Sequence, residues 1–479
     1  MSRATVAGVV VDGLRRAGTS RIFGVPGAGA PLALLDAARA AALTVVLAYG
    51  ESAACVMAAV TADLTDAPGV ASVGASAGVV AAAAGVAHAV LDRSPLVLLT
   101  DRHPREVLGC KASVVVDGET AAVRTVDAIR AAMTAPRGPV HLDVPEHVAG
   151  RPAAPGTIAV RSEASPPLDP AALDEAARLL GRSSRPLLVL GQHCRAGDAP
   201  WLRAFAEALP APALVTAKAK GALPDPHPLV LGVVAGELPD ERALRRVDLI
   251  VALGLDAAEP APRGWWSRVP VLLVGPTPRM EGEPTPSCRV LGTVALVLEE
   301  LAPRLADRPR ADWDVAELDR LKRDRLRAGP SPGLAPQRVV QLSREAMEAG
   351  TLAAVDPGAH WDAVTGAWQA VAPGEFLAPN GAAQGFALPA AIAAHLARPE
   401  RRIVAFTDSA GLVAASAELE TAKRLATPVV LVVFGGADAV RLAQGFGLAA
   451  YAADSEPAFA QALGRARRTA GPAVIGVFA

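Results

Sequence analysis

Glu51 is the side chain with the clearest chemical promise. The segment LTVVLAYGESAACVMA places it directly after an apolar, strand-like run and at the head of a helix. A carboxylate there is favoured by the helix dipole and by free backbone N–H groups, which is a structural role. Set beside a cleft, the same carboxylate can act as a general base. A second segment, RIFGVPG over 21–27, reads as a strand running into a Gly/Pro turn that ends at Gly27. His88 and His360 lie in segments that read as framework. Cys110, in LGCKAS, has no histidine at a spacing that would make it a nucleophile. The four cysteines, Cys55, Cys110, Cys194 and Cys288, are too far apart for a zinc or redox motif and read as buried, reduced thiols.

The elements that must position these residues follow from hydrophobic patterning. Short apolar runs ended by Gly, Pro or Asp recur at Leu96–Thr100, Val140–Val144, Leu187–Leu190, Leu249–Leu253, Val271–Val274, Ile403–Phe406, Val429–Phe434 and Val474–Phe478. Their apolar character is continuous rather than alternating, so both faces are covered, as in parallel strands inside an α/β layer. Ala/Leu-rich segments such as Pro170–Leu180 and Ser416–Leu425 read as the covering helices. The fold class is therefore α/β, with doubly wound parallel sheets. Two stretches without a period, 150–169 and 304–336, divide the chain into three units, 1–150, 169–303 and 337–479. The first and third units both close on a strand preceded by Gly-Pro (RGPVHLDVP and AGPAVIGVFA), which suggests duplication.

Bulk properties narrow the function. A chain of 479 residues exceeds one ordinary core. With 51% hydrophobic but 4% aromatic residues, the cores must be built from Ala, Val and Leu, and stacking of bases or sugars is not the main business. A net charge of -1 provides no basic field for nucleic acid or acidic lipid. No run of about 20 residues stays apolar, so no membrane span is expected. MSRATVAGVVVDGLRRAG carries charges too early for a signal peptide, and a cytoplasmic setting is expected.

Read together, these segments resemble the thiamine-diphosphate-dependent enzymes, and the acetolactate synthases in particular. The strand–Glu51 junction, GVAHAVLDRSPLVLLTDRHP over 85–104 and PRGPVHLDVPEHV over 136–148 are similar to the pyrimidine-binding domain. RPLLVLGQHC, PALVTAKAKGALPDPHPLVLGV and VDLIVALGLD are similar to the central, Rossmann-like domain. VDPGAHWDAVTGAW, NGAAQGFALPAAIAAHLARPERRIVAFTDSAG and ELETAKRLATPVVLVVFGG are similar to the diphosphate-binding domain. The resemblance implies that Glu51 contacts the aminopyrimidine and promotes ylide formation. It implies cofactor contacts at Gly27, Ser76, Ala77, Gly78, Gln384, Asp408, Ser409, Ala410 and Val413, the last at the hydrophobic prop. It also implies a site shared between subunits, hence a homodimer or homotetramer. In the central unit, GLDAAEPAPRGWW over 254–266 offers Asp256 and Arg263, but it reads as a solvated loop, and no FAD is expected.

The resemblance also exposes departures. In the family, Mg²⁺ and the diphosphate are held by Gly-Asp-Gly at a strand end and by an asparagine about 27 residues on; oxygen ligands suit this hard cation. Counting 20 residues forward from Pro389 and nine back from Glu418 both reach Ser409, and 27 further lies Gly436. Asp408-Ser409-Ala410 therefore replaces Gly-Asp-Gly, and Gly435-Gly436 replaces Asn-Asn. The metal positions are thus Asp408, Ser409 and Gly436 in degenerate form. Asp408 could stand in for the lost ligand only with a local change of backbone, because neighbouring side chains on a strand point to opposite faces. Losing one unit charge at about 4 Å removes roughly 4 kcal/mol at an intermediate dielectric, several orders of magnitude in metal-dependent binding. Gly436 also passes at once into ADAVRLAQGFG, so the lid segment is missing; Ser76-Ala77-Gly78 replaces Gly-Pro-Gly, Ala81 an asparagine, and Gly50 a histidine.

Three functions follow from these residues. One is an active thiamine-diphosphate enzyme that decarboxylates a 2-oxo acid and joins the product to an acceptor. Another is a non-catalytic relative, in which Ser409→Asp with Gly436→Asn should restore cofactor binding. The third is a repurposed protein with a different small-molecule ligand in the old cleft and Glu51 as general base.

Overall fold

A computed structural model describes residues 4–25, 32–74, 76–101, 107, 109–154, 167–234, 244–259, 268–277, 285–305, 311–326 and 334–478. The sequence positions Gly27 and Arg263 lie outside the described residues. Among the described residues there are three six-stranded sheets, and every pairing within them is parallel. The first contains β1 (Arg21–Gly24), β2 (Thr44–Leu47), β3 (Gly69–Ser72), β4 (Leu96–Thr100), β5 (Ser113–Val115) and β6 (Val140–Asp143), in the order β2-β1-β3-β4-β6-β5. The central one contains β7 (Pro186–Leu190), β8 (Ala213–Val215), β9 (Val230–Val233), β10 (Leu249–Leu253), β11 (Val271–Gly275) and β12 (Cys288–Leu291), in the order β12-β11-β10-β7-β8-β9. The third contains β13 (Leu352–Val355), β14 (Phe376–Leu377), β15 (Ile403–Asp408), β16 (Val429–Phe434), β17 (Ala449–Ala453) and β18 (Ala473–Val477), in the order β14-β13-β15-β16-β18-β17.

The apolar runs of the sequence are the inner strands, and β4, β7, β10, β11, β16 and β18 are buried along their whole length. The first and third sheets share one strand order, and the two Gly-Pro-preceded closing strands, β6 and β18, occupy the same place in it. In doubly wound sheets, ligands bind beyond the carboxyl ends of the strands where the winding reverses. Here the reversals fall between β1 and β3, between β7 and β10, and between β13 and β15.

The first and third sheets meet through two helices, Glu51–Thr65 and Ala387–Ala397, that pack on each other. Both faces of that seam are built of small side chains, among them Ala54, Ala58, Ala59, Ala390, Ala391 and Ala394, all buried in one shared core. Such a seam has little side-chain bulk to bury, so its cohesion comes from close backbone approach and dispersion. This is where the alanine-rich, aromatic-poor composition is spent. Charged helix Val315–Leu326 lies on the central unit, with Leu318 in the same core as Leu187 and Ile250. Among the described residues no helix is long and apolar enough to cross a membrane.

Gly221 shows how tightly the central and third units meet. Its φ is +84°, and a Cβ there would stand 2.2 Å from the carbonyl oxygen of Ala372. Gly221→Ala adds both a left-handed backbone penalty and a steric conflict between units, about 2–5 kcal/mol together. Urea denaturation is expected to show that loss; a change under about 0.5 kcal/mol would mean the two units are not held at this distance.

Candidate functional site

Glu51 sits where the sequence places it, as the first residue of helix Glu51–Thr65, immediately beyond β2. It is half-buried and makes no hydrogen bond or ion pair among the described residues. Ser76, Ala77 and Gly78 come up beside it from the end of β3: a Cβ on Gly78 would lie 3.6 Å from Glu51 Oε1. Ser76 has φ 57° and ψ -98° and precedes the short helix Ala77–Ala81, whose first turn it does not cap with its side chain. The turn leading into Glu51 is held from across the seam. The backbone N–H groups of Tyr49 and Gly50 donate to Glu418 Oε1 at 3.0 and 2.9 Å. Glu418 is only 2% exposed, and its Oε2 has no hydrogen-bond partner. Sequence reasoning used Glu418, the first residue of helix Glu418–Arg424, only as a counting mark; its partners lie in another unit and leave no local signal.

The third unit presents the other predicted positions together at the end of β15. Asp408 caps helix Ser409–Ala414, its Oδ1 accepting from the Gly411 N–H at 2.9 Å. Ser409 Oγ donates to the Gly435 carbonyl at 2.8 Å, tying the end of β15 to that of β16. Gly435 turns the chain with φ +67°, and helix Ala437–Gly445 begins one residue after Gly436, with no intervening segment. A Cβ on Gly436 would stand 2.8 Å from the Val433 carbonyl oxygen and 3.0 Å from the Val433 side chain. Ala410 is exposed on the short helix, as is Val413, at 67%. Asp356, at the end of β13, accepts from the Phe386 and Ala387 N–H groups and from Thr407, and so fixes the chain just after Gln384. His360 is buried, stacked on Phe434 with centroids 5.1 Å apart, and neither ring nitrogen has a hydrogen-bond partner. Burial lowers its pKa, so the ring is neutral near pH 7.

This donor set does not fit a magnesium–diphosphate group of the family type. Mg²⁺ asks for near-octahedral oxygen ligation. Ser409 has committed its hydroxyl, Gly436 has no side chain and no room for one, and half of Asp408 is used as a cap. Among the described residues no group of three or more His, Cys, Asp or Glu side chains is spaced to hold a metal. The pair Ser409→Asp and Gly436→Asn, expected from sequence to restore binding, would meet the Gly435 and Val433 carbonyls and require the backbone to move.

Between the two sets of residues lies a cleft of about 370 Å³, with Gly50 and Ser52 from the first unit facing Gln384, Gly385, Ala414 and Glu418 from the third. Of the predicted positions, Gln384 alone is on its wall. His88 lines it too, buried and tilted against Phe386 with ring centroids 4.8 Å apart, as a framework residue would be. Cys110 is half-buried and its thiol is pushed up to about 12 by burial, which leaves it no nucleophilic character near neutral pH.

The central unit corrects one expectation. The described part of 254–266 is not a solvated loop: Asp256 is 3% and Glu259 5% exposed. Arg93, from the first unit, reaches into the crevice at the ends of β7 and β10 and grips Asp256 with both Nε and Nη2 at 3.0–3.1 Å. His193 adds a contact to the same carboxylate at 2.9 Å. Burial would raise the Asp256 pKa, but hydrogen bonds from His193 and Arg93 overcome it and hold the group well below the usual carboxylate range. Glu259 behaves oppositely. It accepts from Thr216 Oγ and from the Gln192 and Asp256 N–H groups, yet burial pushes it up to about 7.

Comparison with known proteins gives one answer along the chain. Family profiles match residues 4–125 ("Thiamine pyrophosphate enzyme, N-terminal TPP binding domain"), 173–301 ("Thiamine pyrophosphate enzyme, central domain") and 356–436 ("Thiamine pyrophosphate enzyme, C-terminal TPP binding domain"). The chain is 27% identical to the acetolactate synthase isozyme 1 large subunit of Escherichia coli K12, across 88% of its own length and 79% of that protein. It is 25% identical to the catabolic acetolactate synthase of Raoultella terrigena, across 98% and 94%. In fold it superposes on benzoylformate decarboxylase from Polynucleobacter necessarius with a TM-score of 0.83, at 19% identity over 98% of both chains.

Glu259 gives this region a measurable signature. Its folded pKa of about 7 exceeds the usual glutamate value of about 4.3, so between those pH values the folded chain holds a proton that the unfolded chain has released. Its contribution to stability is therefore lost as pH rises, by up to about 1.4 kcal/mol per pH unit across that window, and is constant above it. Urea denaturation at pH 5, 6, 7 and 8 is expected to show this slope in the native chain and not in Glu259→Gln; equal slopes would place the titration elsewhere.

Proposed function

The chain belongs to the thiamine pyrophosphate enzyme family, and from that premise we propose that it is an acetolactate synthase-like member whose anchoring of the cofactor's metal–diphosphate end is impaired or lost. Its function is then non-catalytic, or repurposed toward another small molecule in the old cleft. The observation that carries this reading is the Ser409–Gly435 hydrogen bond, which spends the side chain at the family's aspartate position on closing the gap between two strand ends. Gly436, packed on the Val433 carbonyl, supports it from the other metal position.

The second reading is an active thiamine-diphosphate-dependent 2-oxo acid decarboxylase or carboligase, a lyase or transferase. It is favoured by Glu51, which stands free at its helix N-terminus beside Gly78, and by the acetolactate synthases among its relatives. Under either reading the protein is a cytoplasmic homodimer or homotetramer. Tyr49, Val80 and Val413, exposed at 53%, 75% and 67% around the two strand ends, support a surface that a second copy covers.

Isothermal titration of the full chain with thiamine diphosphate and Mg²⁺ separates the readings. No heat at millimolar ligand and no pyruvate turnover are expected; saturable binding together with turnover would establish the second reading instead.

A further inference from the structure

We infer that the junction where the three units meet is a proton-operated latch. A proton on Glu259 keeps it shut, and loss of that proton favours an opened arrangement in which the carboxylate meets water.

Glu259, buried just beyond β10, joins two turns through one carboxyl group. Its Oε1 accepts from Thr216 Oγ at 2.5 Å, and both oxygens lie 3.0 Å from the Gln192 nitrogen. Oε2 also accepts from the Asp256 N–H at 3.0 Å. Gly191 closes the remaining side, where a Cβ would stand 2.6 Å from Oε2. The two residues whose backbones bind Glu259 are also the ones whose side chains reach the other units. Gln192 accepts from Asn380 Nδ2 of the third unit at 2.8 Å, and Asp256 holds Arg93 of the first unit through Nε and Nη2. The Asn380 N–H donates in turn to Asp92, next to Arg93 in the chain, at 2.9 Å. The circuit thus closes through all three units, and a change at the Glu259 carboxyl reaches both of its ties.

The surroundings of that carboxyl fix the direction of the effect. Among the described residues, the titratable and charged groups around it are Asp256 with His193, Cys194 with Asp198 beside it, Arg93 from the first unit, and Lys218 paired with Asp63 and Asp92. Asp256 is held well below the usual carboxylate range and Cys194 well above the usual thiol, so neither changes charge near neutral pH. Glu259 does. Burial pushes it up to about 7 against the hydrogen bonds from Thr216, Asp256 and Gln192, and the Asp256 charge adds to the rise. Once ionised, it is a desolvated charge beside another of the same sign. An arrangement that admits water to it restores the ordinary value of about 4.3. The shut arrangement therefore holds its proton across that window, and its advantage is lost as pH rises. The opened arrangement gains up to about tenfold per pH unit until about pH 7 and nothing beyond, which is about tenfold between pH 6 and pH 8.

Amide hydrogen exchange of the full chain from pH 6 to pH 8, corrected for the intrinsic rate, tests this in segments 89–94, 190–194, 254–259 and 378–381. Opening in all four is expected to rise about tenfold across that range in the native chain. It should stay level in Glu259→Gln, which keeps an acceptor oxygen but has no proton to lose. Thr216→Val removes a hydrogen bond that favours the ionised form, so its rise should persist but move upward by about one pH unit. This second variant carries the test if the first does not fold. A level profile in the native chain overturns the inference, as does a rise that persists in Glu259→Gln, which titration of His193 would give. A rise confined to 190–194 and 254–259 overturns it too, because the central unit would then open with its neighbours still in place. So does a Thr216→Val profile that matches the native one.

Discussion

The closeness of helices Glu51–Thr65 and Ala387–Ala397 is the constraint from which the rest of the molecule follows. Two helices can approach this far only if neither carries bulk on the shared face, and alanine supplies that condition repeatedly on both. The approach brings the head of the first helix, with Glu51, within reach of a third-unit carboxylate. Glu418 can then close on the Tyr49 and Gly50 N–H groups, an attachment that a wider seam would have put beyond hydrogen-bond distance. A short distance between backbones thus becomes a fixed placement of one acidic side chain and a narrow, mostly apolar cleft beside it.

Beside that apolar seam the three units are also cross-tied by buried polar groups. Asp92 accepts from the Asn380 N–H and from Lys218, so one first-unit carboxylate binds the other two units at once. Asn380 also donates to Gln192, and Arg93 grips Asp256 nearby. Breaking one partner of such a buried set leaves its counter-charge stranded, at about 3–5 kcal/mol. These ties specify how the units sit more than they add to net stability. One of these ties engages Asp256, an acid at the place where the central winding reverses, with the first unit's arginine.

Much of the architecture was legible because continuous apolar runs have few alternatives. β4, β10 and β16 have the bounds read from the sequence, and the edge strands β5, β9 and β14 were missed because their short segments are only partly buried or only two to four residues long. Glu51 was legible because a carboxylate after a strand and before a helix has a recognisable local pattern. Glu418 was not, since its partners lie more than 360 residues away in the chain and no local rule connects them. The 254–266 loop misled for a related reason. Asp and Glu in a Pro- and Ala-rich stretch suggest solvent, whereas Arg93 from another unit and His193 make the burial of Asp256 tolerable, and Thr216 with two backbone N–H groups that of Glu259.

Gly436 sets the order in which change can proceed. A Cβ on it would stand 2.8 Å from the Val433 carbonyl oxygen, so any side chain must first displace a core strand whose every residue is buried. A mutational path leading to an amide side chain here would thus have to rebuild the exit of β16 before that side chain could appear. The earliest steps would lower stability with nothing yet gained at the site. Under the proposed loss of anchoring, this works as a ratchet whose pawl is a single missing Cβ.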